Sequence, residues 1–186
     1  SGSPRVGSEY SGSMVSAQSR IALVSMHTSP TATAGSGDAG GMNVSILATA
    51  TQLAARGVNV ELLTRAAGAP TVTEIAGGIT LRELAAGPAG PLAKGRLREV
   101  ADEFGEAVAS LAGRDGTRYD IIHAHYWLSG LATLPVSLEF GIPLVQSFHT
   151  LAAMKNRTLA PGQEPEPEAR VRSETYLSNQ AAAIVA

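Results

Sequence analysis

At 186 residues the chain can build one domain with a substantial core, but not two domains of ordinary size. A formal charge of −2 excludes a general nucleic-acid surface, and the absence of cysteine excludes disulfides, thiolate metal sites and a cysteine nucleophile, a usage compatible with the cytoplasm. Aromatics are 4% against 44% apolar residues, with 20 glycines and 10 prolines, so the core should be made mainly of Val, Leu, Ile and Ala, with many tight turns.

Residues 1–13 are rich in Ser and Gly and lack the basic start and apolar centre of a signal peptide; they read as an expression remnant, with the natural chain starting at Met14 and one domain over 14–186. No run of about 18 apolar residues is present to cross a bilayer. The first ordered element is a buried strand over Arg20 to Met26, RIALVSM, followed by a loop too rich in Gly and Pro for regular structure. From Met42 to Arg56 the apolar spacing becomes helical, and Gly57 supplies the stop. VNVELLTRA then forms a second strand. This order of strand, Gly-rich loop, helix and strand begins a doubly wound α/β domain.

TVTEI and GITLREL, separated by Gly77-Gly78, read as an edge hairpin. After an irregular Pro/Gly stretch, Leu97, Val100, Phe104, Val108 and Leu111 share one face of an amphipathic helix. YDIIHAH is another buried strand, with Asp120 at its entrance and His123 and His125 at its exit. A helix from Trp127 to Glu139 follows, which Pro135 should kink or divide. IPLVQSFHT is a strand with Ser147, His149 and Thr150 at its far end. The polar, Pro-rich LAAMKNRTLAPGQEPEPEAR predicts a loop with one short turn, and Pro167 opens a last helix running to Gln180. AAAIVA reads as a strand cut short.

Ligands of open α/β sheets bind beyond the C-terminal strand ends. His27 to Asn43, His123 to Trp127, His149 to Asn156 and the loop around Lys94 should converge there. The glycine loop GSGDAGGMN allows close backbone approach, and the helix start near Met42 offers free N–H groups to an anion, although a turn with a helix cap explains the glycines equally well. It is neither a P-loop, which needs Lys-Ser/Thr, nor the short G-x-G-x-x-G fingerprint.

Asp38 is either a hydroxyl ligand or a backbone cap, and Asn43 on the first helical turn has the same two readings. His123 reads as a satisfied structural histidine. His149 either donates to a sugar oxygen or fastens its loop to the neighbouring backbone. Tyr126 is a pocket wall or packing, and Trp127 reads as core. Lys94 and Arg170 are phosphate ligands or, as isolated residues, solvated surface groups. A zinc site on the histidines lacks an acidic ligand at metal spacing. No nucleophile elbow supports covalent serine hydrolysis. The carboxylates of EPEPEAR show no glycosidase-like pairing and only favour a positive helix start.

Five separated segments, RIALVSMHTSP, GDAGGMNVSILATATQLAARG, YDIIHAHYWLSG, FHTLAAMKN and PEPEAR, resemble the N-terminal domain of retaining glycosyltransferases of family 4, most closely the branch serving mycothiol biosynthesis. The resemblance runs from about Arg20 to the chain's end. It implies a Rossmann-like, mostly parallel sheet forming the N-terminal, acceptor-binding half of a GT-B enzyme. The C-terminal donor domain, with the family's paired glutamates, is not in this sequence, so the chain alone is expected to be inactive.

The implied reaction transfers N-acetylglucosamine from UDP-GlcNAc to 1D-myo-inositol 3-phosphate. By resemblance His27, Asn43, Lys94, Tyr126, Thr150 and Arg170 form the acceptor pocket, while Asp38, Ala39, Gly40, Gly41 and Met42 approach the donor. Asn43 orients an attacking hydroxyl, and His149 is an aid beside the sugar. No cofactor is expected in this domain, the UDP-sugar being a substrate; Mg2+ dependence of the full-length enzyme and homodimer formation stay open. A related transferase using an aminocyclitol or other secondary-metabolite acceptor is one alternative. A non-catalytic sugar-phosphate or nucleotide-binding module is another.

Overall fold

A computed structural model describes residues 18–33, 40–114, 116 and 118–185. The proposed remnant at residues 1–13 and the donor-loop residues Asp38 and Ala39 lie outside them. The strands are β1 (Arg20–Val24), β2 (Asn59–Arg65), β3 (Thr71–Ala76), β4 (Ile79–Leu84), β5 (Ile121–His125), β6 (Leu144–Ser147) and β7 (Ala183–Val185). The helices are α1 (Gly41–Ala54), α2 (Ala101–Ala112), α3 (Tyr126–Phe140), α4 (Ala152–Arg157) and α5 (Glu168–Gln180).

One sheet runs in the order β3-β4-β2-β1-β5-β6-β7, and every pairing is parallel except the β3–β4 hairpin at one edge. Alternation along the strands divides the core. Leu23, Val60, Leu62, Ile79 and Leu81 pack with Ile46 and Ala50 of α1. Ala22, Val24, Leu63, Ile122 and Ala124 pack with residues of α2, α3 and α5. The chain leaves β1 toward β2 and β4, then returns to place β5 on the other side of β1, so the topological switch point lies between the C-terminal ends of β1 and β5.

The apolar stripe from Leu97 to Leu111 is buried throughout, but its first turns, Lys94–Val100, are wound as a 3-10 helix before α2 begins. Pro135 does not divide α3. It removes one backbone hydrogen bond, and its neighbours Leu134 and Val136, both buried in the core, hold the helix together. The expected loop after Thr150 contains the six-residue α4, whose first N–H, from Ala152, donates to Glu174 Oε2 at 2.8 Å. That cap comes from α5, so local sequence does not disclose it.

Within the sheet, on the central strand β2, Glu61, 4% exposed, receives Arg20 at 2.6 Å, Arg82 at 2.9 and 3.0 Å, and the Tyr119 hydroxyl. Burial alone would raise its pKa, but the bonds from Arg82, Tyr119 and Arg20 outweigh burial and hold the carboxyl below its ordinary range. This node ties β1, β2, β4 and the entrance of β5 together away from the ligand-facing edge. Among the described residues no helix is long and apolar enough to cross a membrane.

Candidate functional site

The junction of β5 and α3 places Tyr126 at the switch point with φ 71°, a left-handed conformation that few large side chains adopt. His149, just past β6, has φ 61°. Such conformations cost of order 1–3 kcal/mol each and survive where the surrounding structure over-determines them, often at functional sites.

Three of the expected residues surround the Tyr126 ring. The His27 ring lies 4.4 Å away between centroids, Lys94 Nζ is 5.3 Å from the ring centre, and the Arg170 guanidinium carbon is 4.8 Å from it. Thr150 joins through Arg170, which donates to its carbonyl at 3.0 Å and its hydroxyl at 3.2 Å. Segments from five parts of the chain thus meet at one spot. The aromatic face favours the approach of both cations, and a phosphate beside them would gain two charge-assisted contacts.

Arg170 is not the solvated surface group that its isolation in sequence suggests: it is 4% exposed. Its Nε donates to Glu174 at 2.7 Å, and its terminal nitrogen approaches Glu166 at 2.9 Å. Burial opposes its charge, but Glu174, Tyr126 and Glu166 more than offset that and raise its pKa. Glu166 also receives Lys155, whose hydrogen bond is the largest cause of its lowered pKa. The EPEPEAR carboxylates therefore do more than favour a helix start, because Glu166 bridges two cations beside the candidate pocket. Sequence reasoning missed Glu166 and Glu174; the i,i+4 spacing of each with Arg170 was the available signal.

Asn43 does not cap α1, which has no side-chain cap. It is 3% exposed, its Nδ2 donates to the Ser29 carbonyl at 2.8 Å, and its Oδ1 is buried without a hydrogen-bond partner among the described residues. The uncapped N-terminus at Gly40, Gly41 and Met42 presents N–H groups with no acidic residue in the first turn. A Cβ added at Gly40 or Gly41 would meet nothing within 4 Å, so the glycines leave open space there.

His149 is fastened to a side chain and not to backbone: its Nε2 lies 2.9 Å from His125 Nδ1. His123 Nε2 lies 3.0 Å from Ser147 Oγ. Burial, reinforced by the neighbouring imidazoles, pushes His123 down to about 4 and His125 to about 2, and burial lowers His149 as well. Among the described residues no three His, Cys, Asp or Glu are grouped to hold a metal ion. Trp127 packs against the core.

Two hollows flank this site. One of about 530 Å³ is lined by Phe148, His149, Thr150, Met154, Lys155 and Ile184; the other, of about 220 Å³, by His27, Ser29, Arg65, Glu83 and Leu97 among others. Arg65, 9% exposed, holds the loop between β4 and Lys94 by donating to the carbonyls of Ala86 at 2.8 Å, Pro88 at 2.6 Å and Gly90 at 3.1 Å.

Residues 40–186 match the family described as the glycosyl transferase 4-like domain. The chain belongs to that family. This glycosyl transferase 4-like domain is 47% identical over 171 residues to the D-inositol 3-phosphate glycosyltransferase of Nocardiopsis dassonvillei, covering 90% of the chain and 40% of the relative. It is 48% identical over 161 residues to that of Thermobifida fusca, covering 85% and 37%.

Among solved structures, sucrose-phosphate synthase from Thermosynechococcus elongatus superposes with a TM-score of 0.82 at 28% identity, over 90% of this chain and 42% of that one. The fold is the N-terminal Rossmann-like half of a GT-B glycosyltransferase, as the sequence resemblance implied. The domain spans about two fifths of the length of the curated relatives it matches.

Proposed function

We propose that this domain is the acceptor-facing half of a retaining glycosyltransferase that transfers N-acetylglucosamine from UDP-GlcNAc to 1D-myo-inositol 3-phosphate. The observation that carries this reading is the cluster on Tyr126, where Lys94 and Arg170 both lie over the ring and the Thr150 hydroxyl accepts from Arg170, two cations and a hydroxyl of the chemistry that holds a small anion. The names of the relatives in Nocardiopsis and Thermobifida support the inositol phosphate.

In this reading the phosphate anchors the acceptor against Tyr126, and Asn43, in the first turn of α1, orients the inositol ring. The acceptor oxygen bonds to the anomeric carbon on the face that UDP leaves, as the anomeric C–O bond to the diphosphate breaks. The hydroxyl proton passes to the departing diphosphate oxygen. The N–H groups at Gly40, Gly41 and Met42 stabilise the charge growing there, and no protein nucleophile is required. Donor binding draws on a second domain, in keeping with relatives of which this chain covers about two fifths.

Calorimetry on the longer protein, comparing inositol 3-phosphate with inositol, tests the reading. A clear preference for the phosphorylated ligand is expected, and Lys94→Ala should reduce its binding by about 1.5–3 kcal/mol while sparing the sugar nucleotide. Equal binding of the two inositols would overturn the assignment and favour an aminocyclitol or other uncharged acceptor.

A further inference from the structure

His125 closes β5 at 2% exposure, with its ring centroid 4.1 Å from that of His123 and 5.2 Å from that of His149. Its Nδ1 shares a 2.9 Å hydrogen bond with His149 Nε2, and its own Nε2 is buried with no hydrogen-bond partner among the described residues. Burial keeps both rings neutral near pH 7, so a single proton lies between them and either ring can carry it.

If His149 carried it, neutral His125 would hold its remaining proton on Nε2, a donor sealed from water with nothing to accept it. Buried N–H groups without an acceptor are rarer in folded chains than unmatched acceptors, as backbone groups show. With the proton on His125 Nδ1, only a lone pair is left unmatched, and His149 Nε2 becomes the acceptor. Neutral His149 then keeps its own proton on Nδ1, on a ring that belongs to an exposed residue at the ligand-facing edge.

We propose that His125 is a positioning residue that fixes His149 in its Nδ1–H form, so that His149 donates a hydrogen bond to a substrate oxygen and does not act as a general base. The same bond helps hold the left-handed backbone of His149. The inference rests on the transferase reading for its substrate, but the tautomer itself does not.

The test combines nitrogen NMR of histidine-labelled full-length protein with steady-state kinetics. The wild-type spectrum should show His149 with a protonated Nδ1 and a bare Nε2. His125→Phe should shift it to the Nε2–H form that dominates free imidazole, and lower kcat about tenfold with each KM changed less than about twofold. His125→Asn, whose amide nitrogen can stand where Nδ1 does, should restore the Nδ1–H signature and bring kcat back to within about threefold.

An Nε2–H signal in the wild type overturns the proposal, even if His125→Phe fails to fold. So does a folded His125→Phe that loses thermal stability while retaining kcat and tautomer, or an Asn variant that restores neither. A protein with the Nδ1–H signature but no transferase activity would sink the transferase reading while leaving the His125 bond assigned.

Discussion

Replacing Arg170 with Ala removes its hydrogen bonds to Glu174 and Thr150, its ion pair with Glu166 and its contact with the Tyr126 ring. The largest consequence falls on Glu174, a carboxylate 4% exposed that would lose its charge partner while still accepting the Ala152 N–H. Leaving one member of a buried pair uncompensated costs about 3–5 kcal/mol. In a chain of this size that corresponds to a fall in Tm of about 6–20 °C.

Arg170→Ala therefore cannot by itself report on phosphate binding. Adding Glu174→Gln removes the stranded charge and keeps an oxygen for Ala152, so the double variant should recover more than about half of the lost stability. It should still bind the phosphorylated acceptor at least about tenfold more weakly in the longer protein. Urea denaturation and calorimetry read the two effects separately. The reasoning is refuted if the single variant stays within about 0.5 kcal/mol of wild type, or if the double variant regains acceptor affinity.

Three further outcomes are expected. A Cβ at Gly105 would lie 2.3 Å from the carbonyl oxygen of Ala132, backbone that cannot yield without moving α3 away from α2; Gly105→Ala should lose about 1–3 kcal/mol of packing against a helix-propensity gain of up to about 1. Gly77→Ala, with open space around its Cβ, is the control, and equal melting temperatures would contradict the packing argument. Arg65→Ala frees three loop carbonyls and should weaken the phosphorylated acceptor through Lys94 while leaving donor affinity unchanged, as calorimetry on the longer protein would show.

Stability should also fall in mild acid, because His123 and His125 are held neutral. Above about pH 6.5 both folded and unfolded chains are neutral at these rings; below it only the unfolded chain gains protons, so stability declines as pH drops. The loss from His123 levels off near pH 4, while that from His125 continues toward about 2. Between about pH 7.5 and 5.5 the two together should cost about 2 kcal/mol, allowing for the partial exposure of His123. Denaturation midpoints that do not change over that range would contradict their burial as neutral groups.

Much of the fold was legible in the residues because its causes are local. β-branched runs marked the central strands, Gly77-Gly78 marked the edge hairpin, and 3.6-residue spacing marked the stripe from Leu97 to Leu111. Pro135 does not divide its helix, because a missing hydrogen bond is a local cost that core packing outweighs. The residues of the candidate pocket were nameable from strand-end position and family resemblance, whereas their physical states were not.

The order of strand, glycine loop, helix and strand determined by sequence alone an α/β domain with His27, Tyr126, His149 and Thr150 near the C-terminal strand ends. Only the tertiary structure decided that Arg170 is buried between Glu166 and Glu174 against Tyr126, that Glu174 caps α4, and that His149 leans on His125. Periodicity reports which side of an element faces the core. The charge state and hydrogen bonding of a polar side chain depend on groups that arrive from other elements, and those meet only when the sheet is assembled.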